Sequence, residues 1–233
     1  MRLAIMQPYL FPYVGYYGLI NAVDKFVFYD DVSFIKNGWI NRNRILLNGK
    51  PHYLTVPLLA ASSHKSICST QIQPHLTWQR QCFELLRHAY IRAPHFETTL
   101  ELIKSVFGEE DNSIAAIARK SVMMTSKALS IDTEFVLSSS FYSNHHLSGL
   151  DRVIDICIRE GASEYINLPG GRHLYQEADF SAHGIQLSFM DVCFTSYPQS
   201  STPFVPGLSV IDPLMSIPKE KCFKLISEQR VIR

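Results

Sequence analysis

The feature that most constrains this chain is its first thirty residues, where an apolar run, an amphipathic stretch and a second apolar run follow in close succession. "RLAIM" is short, apolar and stopped by Pro8, which reads as a buried strand. "VGYYGLINAVD" has helical spacing, with Val14, Leu19 and Ala22 or Val23 able to share a face. "KFVFYDD" is a second strand with a polar end. Strand, helix and strand in this span predict a βαβ unit, hence parallel strands joined by a right-handed crossover. The start therefore points to an α/β fold: a mainly parallel-sheet, Rossmann-like three-layer domain.

The rest of the chain extends that plan. "ILL" and "HYLTVPL" flank Asn48-Gly49, a strong hairpin signal. From Leu76 to about Leu129 three amphipathic stretches predict a mostly helical segment, interrupted at "IRAPHF" and "GEEDN". "TEFVLSSSF", "SEYINLPGG" and "IQLSFMDV" read as further strands, with a helix over "GLDRVIDICIREGA" and short helical turns at the end. No repeat or linker divides residues 1–233, so a single α/β domain with a central helical segment is expected.

Charge narrows the partners. The formal net charge is +1, from 22 basic and 21 acidic side chains. A protein held to DNA through phosphates needs a clear basic excess, so DNA is not an expected partner. Nowhere do 18 apolar residues run together, so no membrane span is expected. Five unpatterned cysteines and the lack of a signal-like opening fit a cytoplasmic protein with reduced thiols. The sequence does not fix an oligomeric state.

In open parallel sheets ligands bind beyond the carboxyl ends of the strands. "QPYLFPY" leaves the first strand and "DDVSF" the second, so Gln7, Tyr9, Tyr13, Asp30 and Asp31 collect at one edge. Just beyond, "FIKNGWINRNRI" supplies Lys36, Trp39, Asn41, Arg42, Asn43 and Arg44. Strand alternation places Arg42 and Arg44 on one face, where paired guanidiniums suit a diphosphate, and Trp39 suits stacking on a base or sugar. "NLPGGRHLYQ" contains Gly170 and Gly171, which permit positive φ and close approach of a ligand to main-chain amides, with Arg172, His173 and Tyr175 beside them. It lacks the spacing of a dinucleotide fingerprint or a P-loop. Each feature also has a plainer reading: tyrosines that pack a loop, aspartates that cap a turn, a solvated basic strand, an ordinary glycine turn.

Other constellations carry less. His145 and His146 are adjacent and point apart, and no spacing suggests a metal site. Ser138 to Ser140 lack a nucleophile elbow. Cys157 and Cys193 lie in apolar strings, which predicts core positions. Asp212, before Pro213, reads as a turn-stabilising carboxylate, with a catalytic role as the lesser alternative.

Two resemblances add to this. Tyr13-Val14-Gly15-Tyr16 stands where nucleotidylyltransferases carry H-x-G-H, but both histidines are tyrosines, and a phenol cannot supply their imidazolium. More broadly, "IMQPYLFPYVGYYGLINAVDKFVFYDDVSFIKNGWINRNRI", "YIRAPHF", "GLDRVIDICIREGASEYINLPGGRHLY" and "FVPGLSVIDPLM" resemble, in order, the WbqC-like family of bacterial O-antigen gene clusters. That resemblance implies an acyl- or aminoacyltransferase, possibly of glycine, that forms an amide on a nucleotide-linked amino sugar. In that reading Asp30 or Asp31 is the base or orients the amine, and Arg42 and Arg44 hold the diphosphate. Gly170 and Gly171 amides, with Tyr13 or Asn41, are the oxyanion donors. The activated donor stays open among acyl-CoA, acyl carrier protein, aminoacyl-tRNA and an ATP-derived adenylate. Nucleotidyl transfer, and non-catalytic binding of a nucleotide-sugar, are the alternatives.

Overall fold

A computed structural model describes residues 1–74, 77–108 and 112–233. The βαβ unit is present, with β1 (Arg2–Met6), α1 (Val14–Ala22) and β2 (Lys25–Phe28). β1 and β2 run parallel, Leu3 opposite Lys25 and Met6 opposite Phe28. The hairpin follows as β3 (Arg42–Leu47) and β4 (Lys50–Thr55). Asn48 and Gly49 turn it with φ of 50° and 73°, the left-handed conformation that a two-residue hairpin loop requires.

The helical segment contains α2 (Thr77–Tyr90), α3 (Phe96–Phe107) and α4 (Ile114–Ala128). Its expected start at Leu76, and Glu109, Glu110 and Asp111 of the "GEEDN" break, lie outside the described residues. The chain then returns to the sheet through β5 (Glu134–Val136), α5 (Gly149–Arg159), β6 (Glu164–Asn167), α6 (Glu177–Ser181) and β7 (Gln186–Asp191). It closes with α7 (Ile211–Ser216), α8 (Lys219–Ser227) and β8 (Arg230–Ile232).

The main sheet has the order β5-β2-β1-β6-β7-β8, and every neighbouring pair is parallel except β7–β8. Alternation along the strands divides the apolar residues between two faces. Ala4, Phe26, Phe28, Ile166 and Met190 face one cluster, built with α1, the helical segment and the closing helices. Leu3, Ile5, Val27, Tyr165, Leu187 and Phe189 face the other, built with α5 and α6. These are the three layers. No helix of the described residues is long and apolar enough to cross a membrane.

Two readings of local structure change. "TEFVLSSSF" is strand only to Val136; Ser139–Tyr142 is a 3₁₀ turn, capped by the Ser138 side chain, which accepts from the Ser140 N–H. The edge strand β8 has three residues, too few for periodicity to reveal. The order of strands reverses at β1, which has β2 on one side and β6 on the other. This is the switch point beyond which open α/β sheets bind their ligands.

Candidate functional site

The loop after β1 is fixed by a strained residue. Phe11 has φ of 39°, a conformation that costs a bulky side chain about 1–3 kcal/mol. Three distant segments hold it. The Phe11 N–H donates to Ser121 Oγ at 2.9 Å, and its carbonyl accepts from Ser209 Oγ at 2.6 Å and from Asn43 Nδ2 at 3.0 Å. Its ring is fully buried, edge-on to Phe107. With Phe11 pinned, Pro12 and Tyr13 turn outward to line a pocket.

That pocket, of about 190 Å³, is walled by Tyr9, Tyr13, Trp39 and Phe194, with Pro12, Asn43, Arg44 and Gly207 completing it. Arg44 Nη2 donates to the Gly207 carbonyl at 3.1 Å, and its guanidinium stands 5.6 Å from the Trp39 ring. Its Nε is buried without a hydrogen-bond partner among the described residues. Gly207 has φ of 66°, which favours glycine, and a Cβ there would stand 3.5 Å from Arg44 Nη2. Burial raises the Tyr9 phenol pKa and, helped by the neighbouring Tyr9, pushes that of Tyr13 up to about 12, so both are neutral donors at physiological pH.

The start of α1 explains the tyrosine version of the motif. A Cβ on Gly15 would lie 2.5 Å from Tyr13 Cε2 and 2.8 Å from Val192 Cγ1, so the glycine makes room for the Tyr13 ring. Tyr16 is fully buried, and its hydroxyl donates to the Gln7 carbonyl at 2.7 Å. One phenol therefore faces the pocket while the other braces the loop, and Gln7 contributes through its backbone.

Arg42 and Arg44 do share a strand face but open on different pockets. Lys36, Asn41 and Arg42, with Phe34, Asn37, Thr55, Leu58 and Ala61, line a second pocket of about 290 Å³. Arg42 Nη2 donates to the Asn37 carbonyl at 2.6 Å, and its guanidinium lies 4.3 Å over the Tyr53 ring. Asn41 Nδ2 donates to the Val56 carbonyl at 2.9 Å. Asn43 is a brace, its amide shared between the Leu10 and Phe11 carbonyls.

The aspartates lie in neither lining. Asp30 is fully buried, paired with Arg119 and accepting from Ser138 Oγ at 2.6 Å; burial raises its pKa despite those partners. Asp31 accepts from Arg152 Nη2 at 2.6 Å and from Ser139 Oγ, with His145 Nδ1 at 3.1 Å. Burial pushes the Asp31 pKa up, but the hydrogen bonds from Arg152 and Ser139 outweigh it and leave the carboxyl below its ordinary range. Arg152 also donates to Asn144 Oδ1 at 2.8 Å and covers the Tyr29 ring.

The glycine turn differs from expectation. Gly170 and Gly171 fall in a 3₁₀ turn, Pro169–Leu174, and neither takes positive φ. Gly171 is required by its own neighbour: a Cβ there would stand 2.5 Å from Asn167 Nδ2. Its N–H donates to the Leu168 carbonyl at 3.0 Å. Tyr175 packs edge-on against Tyr165 and Phe180, on the sheet face of α5 and α6. Cys157 is core, whereas Cys193 is exposed, because β7 ends at Asp191 and the chain there has left the apolar layers. Asp212 is buried, accepting from the Tyr90 and Tyr197 hydroxyls at 2.7 Å each and from Gln199 Nε2 at 3.0 Å. Pro12, Phe194, Gly207, Arg152 and His145 were not singled out from sequence as site residues. "FVPGLSV" carried the one usable signal, a glycine between apolar runs.

Comparison with known proteins adds breadth. The model of the WbqC-like protein family matches residues 7–223. An uncharacterized protein of Mycobacterium tuberculosis (strain ATCC 25618 / H37Rv) is 28% identical over 222 residues, which cover 94% of this chain and 95% of that protein. No solved structure matches the chain.

Proposed function

The chain belongs to the WbqC-like protein family, and from that premise we propose that its aromatic pocket holds a nucleotide-linked amino sugar whose amine receives an acyl or aminoacyl group. The pathway that this reading suggests is O-antigen or other surface polysaccharide synthesis. One observation carries it: four aromatic walls and a guanidinium converge beside the carboxyl edge of a parallel sheet. Flat aromatic faces suit a sugar or base ring, and Arg44 suits a phosphate.

In the reaction the amine nitrogen attacks the acyl carbon, the bond to the donor's leaving group breaks, and the nitrogen loses a proton. The oxyanion that forms needs preorganised donors. Gly171 N–H and the Asn41 amide already have carbonyl partners. Tyr13, a neutral phenol facing the pocket, is therefore the donor we assign. For the proton acceptor, a carboxylate held ionised by Arg152 is a weak base. Asp31 and its partner His145 line neither pocket, so we assign the proton to solvent rather than to either side chain.

The test is a thermal-shift titration with UDP- and dTDP-linked amino sugars, on the wild type and on Arg44→Met and Trp39→Leu. A ligand at a hundred times its Kd stabilises the folded state by about 2.7 kcal/mol. The expected result is a raised midpoint in the wild type that both variants lose. An unchanged midpoint with every sugar nucleotide, alongside a rise with ATP alone, refutes the substrate and favours nucleotidyl transfer.

A further inference from the structure

The outer face of the hairpin carries a row of alternating cations and rings that the first pocket does not use up. Arg44 stands 5.6 Å from Trp39, Trp39 lies 6.4 Å from Tyr53, and Tyr53 has Arg42 at 4.3 Å over its ring. Arg44 ends the row in the first pocket and Arg42 ends it in the second. Lys36 joins Arg42 there.

Charge sets this region apart. From Val32 to Phe83 the chain holds no Asp or Glu, while Lys36, Arg42, Arg44, Lys50, Lys65 and Arg80 are all cationic. In a chain whose formal net charge is +1, that run is strongly asymmetric. Among the described residues, neither Lys36 nor Arg42 meets a carboxylate; Arg42 spends Nε and Nη2 on the Gly38 and Asn37 carbonyls and keeps Nη1 for something else. Those carbonyls and the Tyr53 ring fix the guanidinium in place before any ligand arrives. A fixed guanidinium and a lysine lining a pocket of about 290 Å³, with the exposed Tyr53 ring beside it under Arg42, make an anion site with a stacking surface at its rim.

We propose that this second pocket is a nucleotide subsite for the acyl donor, with phosphate at Lys36 and Arg42 and a base against Tyr53. The reading of the bound nucleotide as a donor's handle rests on the transferase function proposed above; the binding itself does not. Two donors share the required chemistry, a phosphate beside a stackable base: the adenosine 3′,5′-bisphosphate end of coenzyme A and the single-stranded 3′ end of a tRNA. A donor carried on an acyl carrier protein has no base to offer this surface.

Isothermal titration decides it, using adenosine 3′,5′-bisphosphate and a single-stranded oligoribonucleotide ending in CCA, each with and without a saturating UDP-linked amino sugar. At least one handle should bind with the first pocket filled, and which one binds identifies the donor class. Lys36→Gln and Arg42→Gln should each weaken it about tenfold or more while the amino-sugar nucleotide binds as before. Lys36 is exposed, so its variant tests the subsite even where Arg42→Gln disturbs the hairpin loop. The proposal falls where neither handle binds, or where binding is lost to Arg44→Met and to competing sugar nucleotide but not to Lys36→Gln. Handle binding that depends on Lys36, in a protein that takes no sugar nucleotide, would keep the subsite and overturn the function proposed above.

Discussion

Replacing Arg152 with Met tests how the carboxyl edge of β2 is held. Arg152 is 4% exposed and Asp31 5%, so the substitution strands a carboxylate away from water. Removing one partner of a buried pair costs about 3–5 kcal/mol. At about 2–4 °C per kcal/mol for a chain of this size, the midpoint should fall about 6–20 °C. Part of the loss is the bond to Asn144, about 1 kcal/mol, and does not depend on pH. The remainder does. In the wild type the Asp31 carboxyl lies below its ordinary range, so its contribution is present above the unfolded-state pKa and fades as pH falls through the folded value. Without Arg152, only Ser139 and His145 oppose burial, and the folded pKa is expected to rise above the unfolded one. The stranded charge then destabilises the variant at neutral pH and is relieved by protonation. Urea melts followed by circular dichroism at pH 7 and pH 4.5 should therefore show the gap to wild type shrinking at the lower pH. A deficit under 1 kcal/mol at pH 7, or one equal at both values, refutes the reasoning.

Gly15→Ala should displace the Tyr13 ring, since the new Cβ falls 2.5 Å from Cε2, and sugar-nucleotide affinity should drop about tenfold. Its stability should fall by no more than about 2 kcal/mol, alanine's helix propensity gaining about 1 kcal/mol against an overpacking cost of about 1–3 kcal/mol, so a larger loss with intact binding would contradict this account. His145→Gln, outside both pocket linings, should leave sugar-nucleotide affinity and turnover unchanged. A clear loss of either in a calorimetric titration or a reconstituted transfer assay would bring the Asp31 network into the site.

The fold was legible because its signals are local. Asn48-Gly49 announces its own turn, and the opening strands and helix announce theirs within thirty residues. What escaped was set by tertiary packing. β8 exists because β7 offers it an edge, and Ser139–Tyr142 turns because the Ser138 hydroxyl caps it. Neither choice leaves a period in the sequence.

The site was legible only as far as residue type predicts direction. Tyr9, Tyr13, Trp39 and Arg44 do converge, from a loop and a hairpin strand. The aspartates share the sheet edge but face Arg119 and Arg152, from helices about ninety and 120 residues away in the chain. Ser121, Ser209 and Asn43 stand 110, 198 and 32 residues from Phe11 in the chain, yet without their bonds its strained turn would relax and Tyr13 would lose its place. A pocket built on that knot should weaken when any of its three distant partners is removed, although none of Ser121, Ser209 and the amide of Asn43 needs to touch the ligand.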